Sequence, residues 1–187
     1  MKKLTILGSS ACVALILATV AGAHRVVLIQ GSNGSDVLTG TPGADLIFAK
    51  GGNDSVTAGE GNDRIHGNGG QDTIDAGGGD DRAWGGRGDD SLAGGAGNDV
   101  LRGRSGNDSL DGGPGNDRLW PGRGADVQNG GDGDDVLHAL ARDGQVDRID
   151  CGPGNDVVWL NAKETGDVHV NCEIVKIVTV SGDGGDD

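Results

Sequence analysis

Aliphatic positions in this chain recur with a period that fits neither a helix nor an ordinary alternating strand. Between Gly31 and His138 one nine-residue unit repeats twelve times without insertion, and its eighth position holds Leu38, Ile47, Val56, Ile65, Ile74, Leu92, Leu101, Leu110, Leu119 and Leu137. Ala83 and Gln128 are the two departures. One core residue per unit cannot bury a face alone, so the units must stack on one another to make a core. The last three residues of each unit, any residue on either side of the eighth, predict a very short strand whose eighth position points inward. The six glycine-rich residues before them predict a tight turn. Two units then make one flattened coil of eighteen residues. The expected fold is all-β: a parallel β-roll, or β-solenoid, with short capping strands. Six coils at the usual strand spacing give a length of about 29 Å.

Stacking has a chemical consequence at the sixth position, which is always aspartate: Asp36, Asp45, Asp54, Asp63, Asp72, Asp81, Asp90, Asp99, Asp108, Asp117, Asp126 and Asp135. Alternate aspartates fall above one another and form two columns, and unpaired carboxylates so close together repel. A hard dication between successive turns removes the repulsion and takes oxygen ligands from carboxylates and main-chain carbonyls. Glycine at every fourth position, Gly34 to Gly133, lets the backbone come close.

Units such as GGAGNDVLR from Gly94 and GGPGNDRLW from Gly112 resemble the G-G-x-G-x-D-x-U-x nonapeptide of the RTX, or haemolysin-type, calcium-binding repeats. The resemblance implies Ca2+ as cofactor in up to about ten gaps between turns. It implies these sixth-position aspartates, with Asp147 and Asp156 of two later units, as its ligands. Without calcium, charge and glycine entropy favour a disordered chain, so binding and folding are expected to be coupled.

Around this tract the sequence predicts further segments. Met1–Ala23 reads as a secretory signal peptide, with Lys2 and Lys3, an apolar run ending in Leu15-Ile16-Leu17, and Ala21-Gly22-Ala23 before His24. Residues 24–30 read as an N-terminal capping strand. The roll is expected over 31–159, with a weak joint at Pro121 and Gln128 and an insertion at 139–141. Beyond the insertion, Arg142–Asp150 is a degenerate unit and Cys151–Trp159 a better one. Residues 160–180 read as a capping segment that could fold over part of the roll, and 181–187 as a disordered acidic tail.

The formal charge is −14; without Lys2 and Lys3 it is −16, a ligand supply for cations and an argument against a nucleic-acid partner. With no second long apolar segment, the mature chain is expected to have no membrane span and to be secreted. In that oxidising setting its two cysteines, Cys151 and Cys172, are expected to form a disulfide rather than a zinc site. The passage DCGPGND…NCE that carries them also resembles the ending of secreted bacterial calcium-binding repeat proteins.

The ninth positions split by sheet. One sheet receives Thr39, Thr57, Asp75, Ala93, Asp111, Asn129 and Asp150; the other receives Phe48, His66, Trp84, Arg102, Trp120, His138 and Trp159. Arg64, Arg82 and Arg118 flank the second set. This face has two readings: rings and guanidinium groups stacking on one another, or a docking strip for an extracellular polysaccharide or a cell-surface protein. No HExxH, GxSxG or CxxC is present, and the aspartates are committed to the columns, so no enzymatic activity is expected.

Overall fold

The computed structural model describes residues 26–164 and 166–179 and holds them in strands and turns throughout. The assigned leader (1–23) and acidic tail (181–187) lie outside the described residues. Seventeen strands alternate between two parallel sheets. Odd-numbered strands, from β1 (Val27–Gln30) to β17 (Ile174–Val178), form a nine-stranded sheet. Even-numbered strands, from β2 (Val37–Thr39) to β16 (Val168–Val170), form an eight-stranded sheet. This is the parallel β-roll the nine-residue period predicts. Among the described residues no helix is long and apolar enough to cross a membrane.

The register follows the period. Ile65 pairs with Ala83 and Leu101 with Leu119, each eighteen residues on. Eighth-position side chains therefore stack in two facing files. Ile47, Ile65, Leu101, Leu119, Leu137 and Val158 of one meet Leu38, Val56, Ile74, Leu92, Leu110 and Ile149 of the other, all fully or almost fully buried. Gln128 interrupts its file; it is buried, and its Nε2 donates to the His138 carbonyl at 2.9 Å.

Three expectations need correction. The regular strands are six residues long, not three: β5 is Arg64–Gly69 and β8 is Ser91–Ala96. The parallel ladder uses only main-chain N–H and C=O groups, so the glycines of the next unit's first three positions pair as well as side-chain-bearing residues do. Only positions four to six form the turn. At position four a positive φ requires glycine: Gly97 has φ +135°, and a Cβ there would collide with the Gly79 carbonyl.

The roll is also longer than six coils. The degenerate unit enters the structure as β14 (Arg148–Asp150), and the insertion shifts pairing from eighteen to twenty-one residues, as in Gln128↔Ile149 and Leu137↔Val158. Nine strands at the usual spacing span about 38 Å. Third, the segment 160–180 does not fold over a face. β16 pairs in parallel with β14, and β17 with β15 (Val157–Asn161), so both sheets gain one more strand. The expected Cys151–Cys172 disulfide ties this last coil down, with a Cα–Cα distance of 5.2 Å.

Removing one rung of the core tests the packing. Leu101→Ala should lower the unfolding free energy of the cation-loaded roll by about 2–5 kcal/mol, measured in urea. The exposed Ser109→Ala should stay within about 0.5 kcal/mol. Equal effects would contradict the core assignment.

Candidate metal centre

The turns place their aspartates in two columns, one along each edge where the sheets meet. Asp36, Asp54, Asp72, Asp90, Asp108, Asp126 and Asp147 line one edge; Asp45, Asp63, Asp81, Asp99, Asp117, Asp135 and Asp156 line the other. All are buried. Each turn is joined to the next by the same pair of bonds. The backbone N–H of one aspartate donates to Oδ1 of the next in its column: Asp63 to Asp81 at 2.7 Å, Asp99 to Asp117 at 2.8 Å, Asp108 to Asp126 at 2.7 Å. Its carbonyl accepts from the residue after that next aspartate, as from Arg82 N to Asp63 O at 2.9 Å.

This leaves one carboxylate oxygen per turn. Oδ2 of Asp54, Asp63, Asp72, Asp81, Asp90, Asp99, Asp108, Asp117, Asp126, Asp135 and Asp156 is buried and has no hydrogen-bond donor. Burying an acceptor that way costs about 1–3 kcal/mol, and more when it is charged. What faces it is more oxygen. A Cβ built on Gly94 would lie 2.5 Å from Asp99 Oδ2 and 2.7 Å from the Gly112 carbonyl of the next coil. Two acceptors approach that point, and Asp99 Oδ2 has no donor. The carbonyls of Gly70, Gly79 and Gly97 at position four likewise face the turn above.

An all-oxygen set of carboxylates and carbonyls fits a hard divalent cation. Among the described residues no three His, Cys, Asp or Glu side chains converge, so main-chain carbonyls must complete any one site. The first two turns differ. Ser32 N and Oγ donate to Asp36 Oδ2 at 2.5 and 2.9 Å, and Thr41 N and Oγ1 donate to Asp45 Oδ2 at 2.6 and 3.1 Å. Protein donors thus meet Oδ2 at that end of both columns, while Oδ1 of Asp36 is buried without a donor.

Burial, and then the neighbouring carboxylates, raise the cation-free aspartates against the lowering effect of the N–H bond each accepts. Asp108 is pushed to about 8, Asp81, Asp90 and Asp117 to about 7, and Asp63 and Asp135 to about 6. Without a cation the interior carboxyls thus bind protons more tightly than free ones do, Asp108 most of all.

Two carboxylates escape the repeat pattern. Asp147 N donates to Asp167 Oδ1 at 3.1 Å and Asp156 N to Glu173 Oε2 at 3.0 Å. Val168 N and Ile174 N return the second bond to the Asp147 and Asp156 carbonyls, both at 2.9 Å. Asp167 and Glu173 thus continue the two columns by one member each. The signal was an acid followed by a short strand-forming stretch, Asp167-Val168-His169-Val170 and Glu173-Ile174-Val175-Lys176, off the eighteen-residue phase and, in the first, with His169 in the aliphatic place.

The ninth-position residues of the nine-stranded sheet form a ladder on its outer face. Phe48 stacks on His66 at 4.9 Å, His66 on Trp84 at 4.5 Å, and Trp120 on His138 at 4.6 Å, with planes within 13°. Trp159 follows His138 at 6.3 Å. Arg102 lies 5.0 Å from the Trp120 ring and Lys176 4.5 Å from the Trp159 ring. Ring faces are spent on one another and mostly edges reach solvent. Burial, with Arg102 adding to it, lowers His138 to about 4, so that imidazole is neutral.

The model of the RTX calcium-binding nonapeptide repeat matches the chain over residues 28–56, 57–92, 93–128, 122–143 and 129–162. No curated protein is a significant match.

A raised carboxyl pKa stabilises the cation-free roll below the ordinary carboxylate value, and that contribution is lost as pH rises through about 6–8. Calcium uptake at pH of about 6.5 should therefore release protons. Calorimetric titrations in buffers of different ionisation enthalpy should give different heats; identical heats would contradict protonated columns.

Proposed function

This chain belongs to the RTX calcium-binding nonapeptide repeat family, and from that premise we propose that it is a secreted protein whose roll folds as calcium enters the gaps between successive turns. The observation that carries the reading is the file of buried Oδ2 atoms without donors, from Asp54 to Asp135 and at Asp156. Calcium, when bound, supplies the positive charge these oxygens face. The protein's part is to present them: Oδ1 is fixed by the N–H of the preceding turn, which aims Oδ2 at the next coil. Asp36, Asp45 and Asp147 complete the proposed ligand set, the first two as end members already met by Ser32 and Thr41. The leader, the Cys151–Cys172 disulfide and the roughly millimolar affinity of extracellular calcium modules support a role outside the cell. We read the chain as a binding protein rather than an enzyme, because its acidic side chains serve the columns.

Charge segregation favours a second reading of the outer faces. The nine-stranded sheet carries Lys50, Arg64, Arg82, Arg87, Arg102, Arg104, Arg118, Arg123 and Lys176, and its one carboxylate, Asp45, is buried in a column. The eight-stranded sheet carries Glu60, Asp75, Asp111, Asp132 and Asp150 against Arg148. Once calcium neutralises the edges, the first face fits an extended anionic polysaccharide, held by arginines flanking the ladder and not by the occupied ring faces.

Two measurements follow. At pH of about 8 in excess chelator the β-sheet circular dichroism signal should be absent and should return on adding calcium; a full roll in chelator would overturn the first reading. Arg82→Glu combined with Arg118→Glu should abolish retention on an immobilised polyuronate in calcium, and unchanged retention would remove the second reading.

A further inference from the structure

We propose that the disulfide-closed end of the roll holds a terminal cation site of its own, built from Asp156 of the last repeat and Glu173 beyond it. The inference rests on the calcium-binding reading and extends it to Glu173, outside the matched segments, which stop at 162.

Asp156 is 0% exposed. Its Oδ1 accepts from Asp135 N at 2.8 Å, while its Oδ2 is buried with no donor. At interior turns the corresponding oxygen faces the next coil. Here the next coil brings Glu173, whose Oε2 accepts from Asp156 N at 3.0 Å. Ile174 N donates to the Asp156 carbonyl at 2.9 Å, so the two-bond joint between turns is kept. Two carboxyl groups therefore meet at this joint, one of them with an unmatched oxygen. Proximity to Glu173 adds to burial in raising Asp156.

The turn that carries Asp156 keeps the form of those before it. Gly152 has φ +88°, and a Cβ on Gly154 would collide with the Gly133 carbonyl. The turn after it is shorter and lacks the repeat glycine: Glu173 comes seventeen positions after Asp156, and Asn171, at φ +55°, stands two residues before it where the repeats have glycine. Glutamate, longer by one methylene than aspartate, reaches the column from that shorter connection. Cys172, beside Glu173, is tied to Cys151 in the preceding coil and anchors the backbone from which it reaches. The companion end at Asp147 and Asp167 lacks the second feature, because Oδ2 of Asp147 is not among the donorless buried atoms. The site belongs to one edge only. Glu173 is exposed, so the site opens to water on one side and takes a hard divalent cation with water completing its shell.

Native mass spectrometry of the full chain in calcium resolves single ions and tests this. Glu173→Gln should carry one ion fewer than the unmodified chain, with its loaded circular dichroism unchanged. Asp167→Asn should keep the full count. An unchanged count in Glu173→Gln, an equal loss in Asp167→Asn, or the loss of every ion from Glu173→Gln would each overturn the terminal site. An unmodified chain that takes up no calcium would instead overturn the reading on which it rests.

Discussion

Everything in this roll depends on a carboxylate oxygen that is buried without a hydrogen-bond donor and repeated once per turn. Backbone geometry satisfies its partner oxygen completely, through the N–H of the preceding turn. The second oxygen has no donor, and a main-chain carbonyl of the next coil lies near it. Charge of that density, out of water, raises the proton affinity of each aspartate and repels its neighbours along the column. On the proposed reading, a fold built on this arrangement is conditional on protons or cations. The apolar files are thin, because most coils add two large core side chains and at most a few small ones, and many of their other residues are glycine, whose ordering is costly.

The ends of the roll are closed by different chemistry. At the start, Ser32 and Thr41 offer a hydroxyl and an amide to the first carboxylates, neutral donors where no earlier turn exists. At the finish, Asp167 and Glu173 continue both columns and a disulfide holds the last coil. Alternation between the sheets also sorts the surface. One face gathers arginines around a ladder of stacked rings, and the other gathers aspartates and hydroxyls.

Most of this was legible in the sequence because a strict period makes position equivalent to location. The inward place of Leu101 and its counterparts, the aspartate columns, the two ninth-position sets and the cysteine pair all follow from counting. Strand length did not, since glycine at positions one to three reads as turn by composition yet pairs in the ladder through its backbone. Asp167 and Glu173 were hidden because joining the column requires only a carboxylate at the correct height, not the glycines that make a repeat visible. The caps at Ser32 and Thr41 depend on side-chain hydrogen bonds within a unit, which periodicity does not encode. For the ladder, sequence placed the rings in one row but left open whether they face solvent or each other. A coil spacing near the stacking distance of aromatic rings decides it.

The central claim is that cations convert this chain from an expanded coil to a compact rod, and small-angle scattering measures that directly. For residues 24–187 in chelator at pH of about 8 the radius of gyration should be about 40 Å, falling toward about 15–20 Å in saturating calcium. A compact, unchanged radius in chelator would mean that the columns are stable without cations, and would contradict a fold conditional on them.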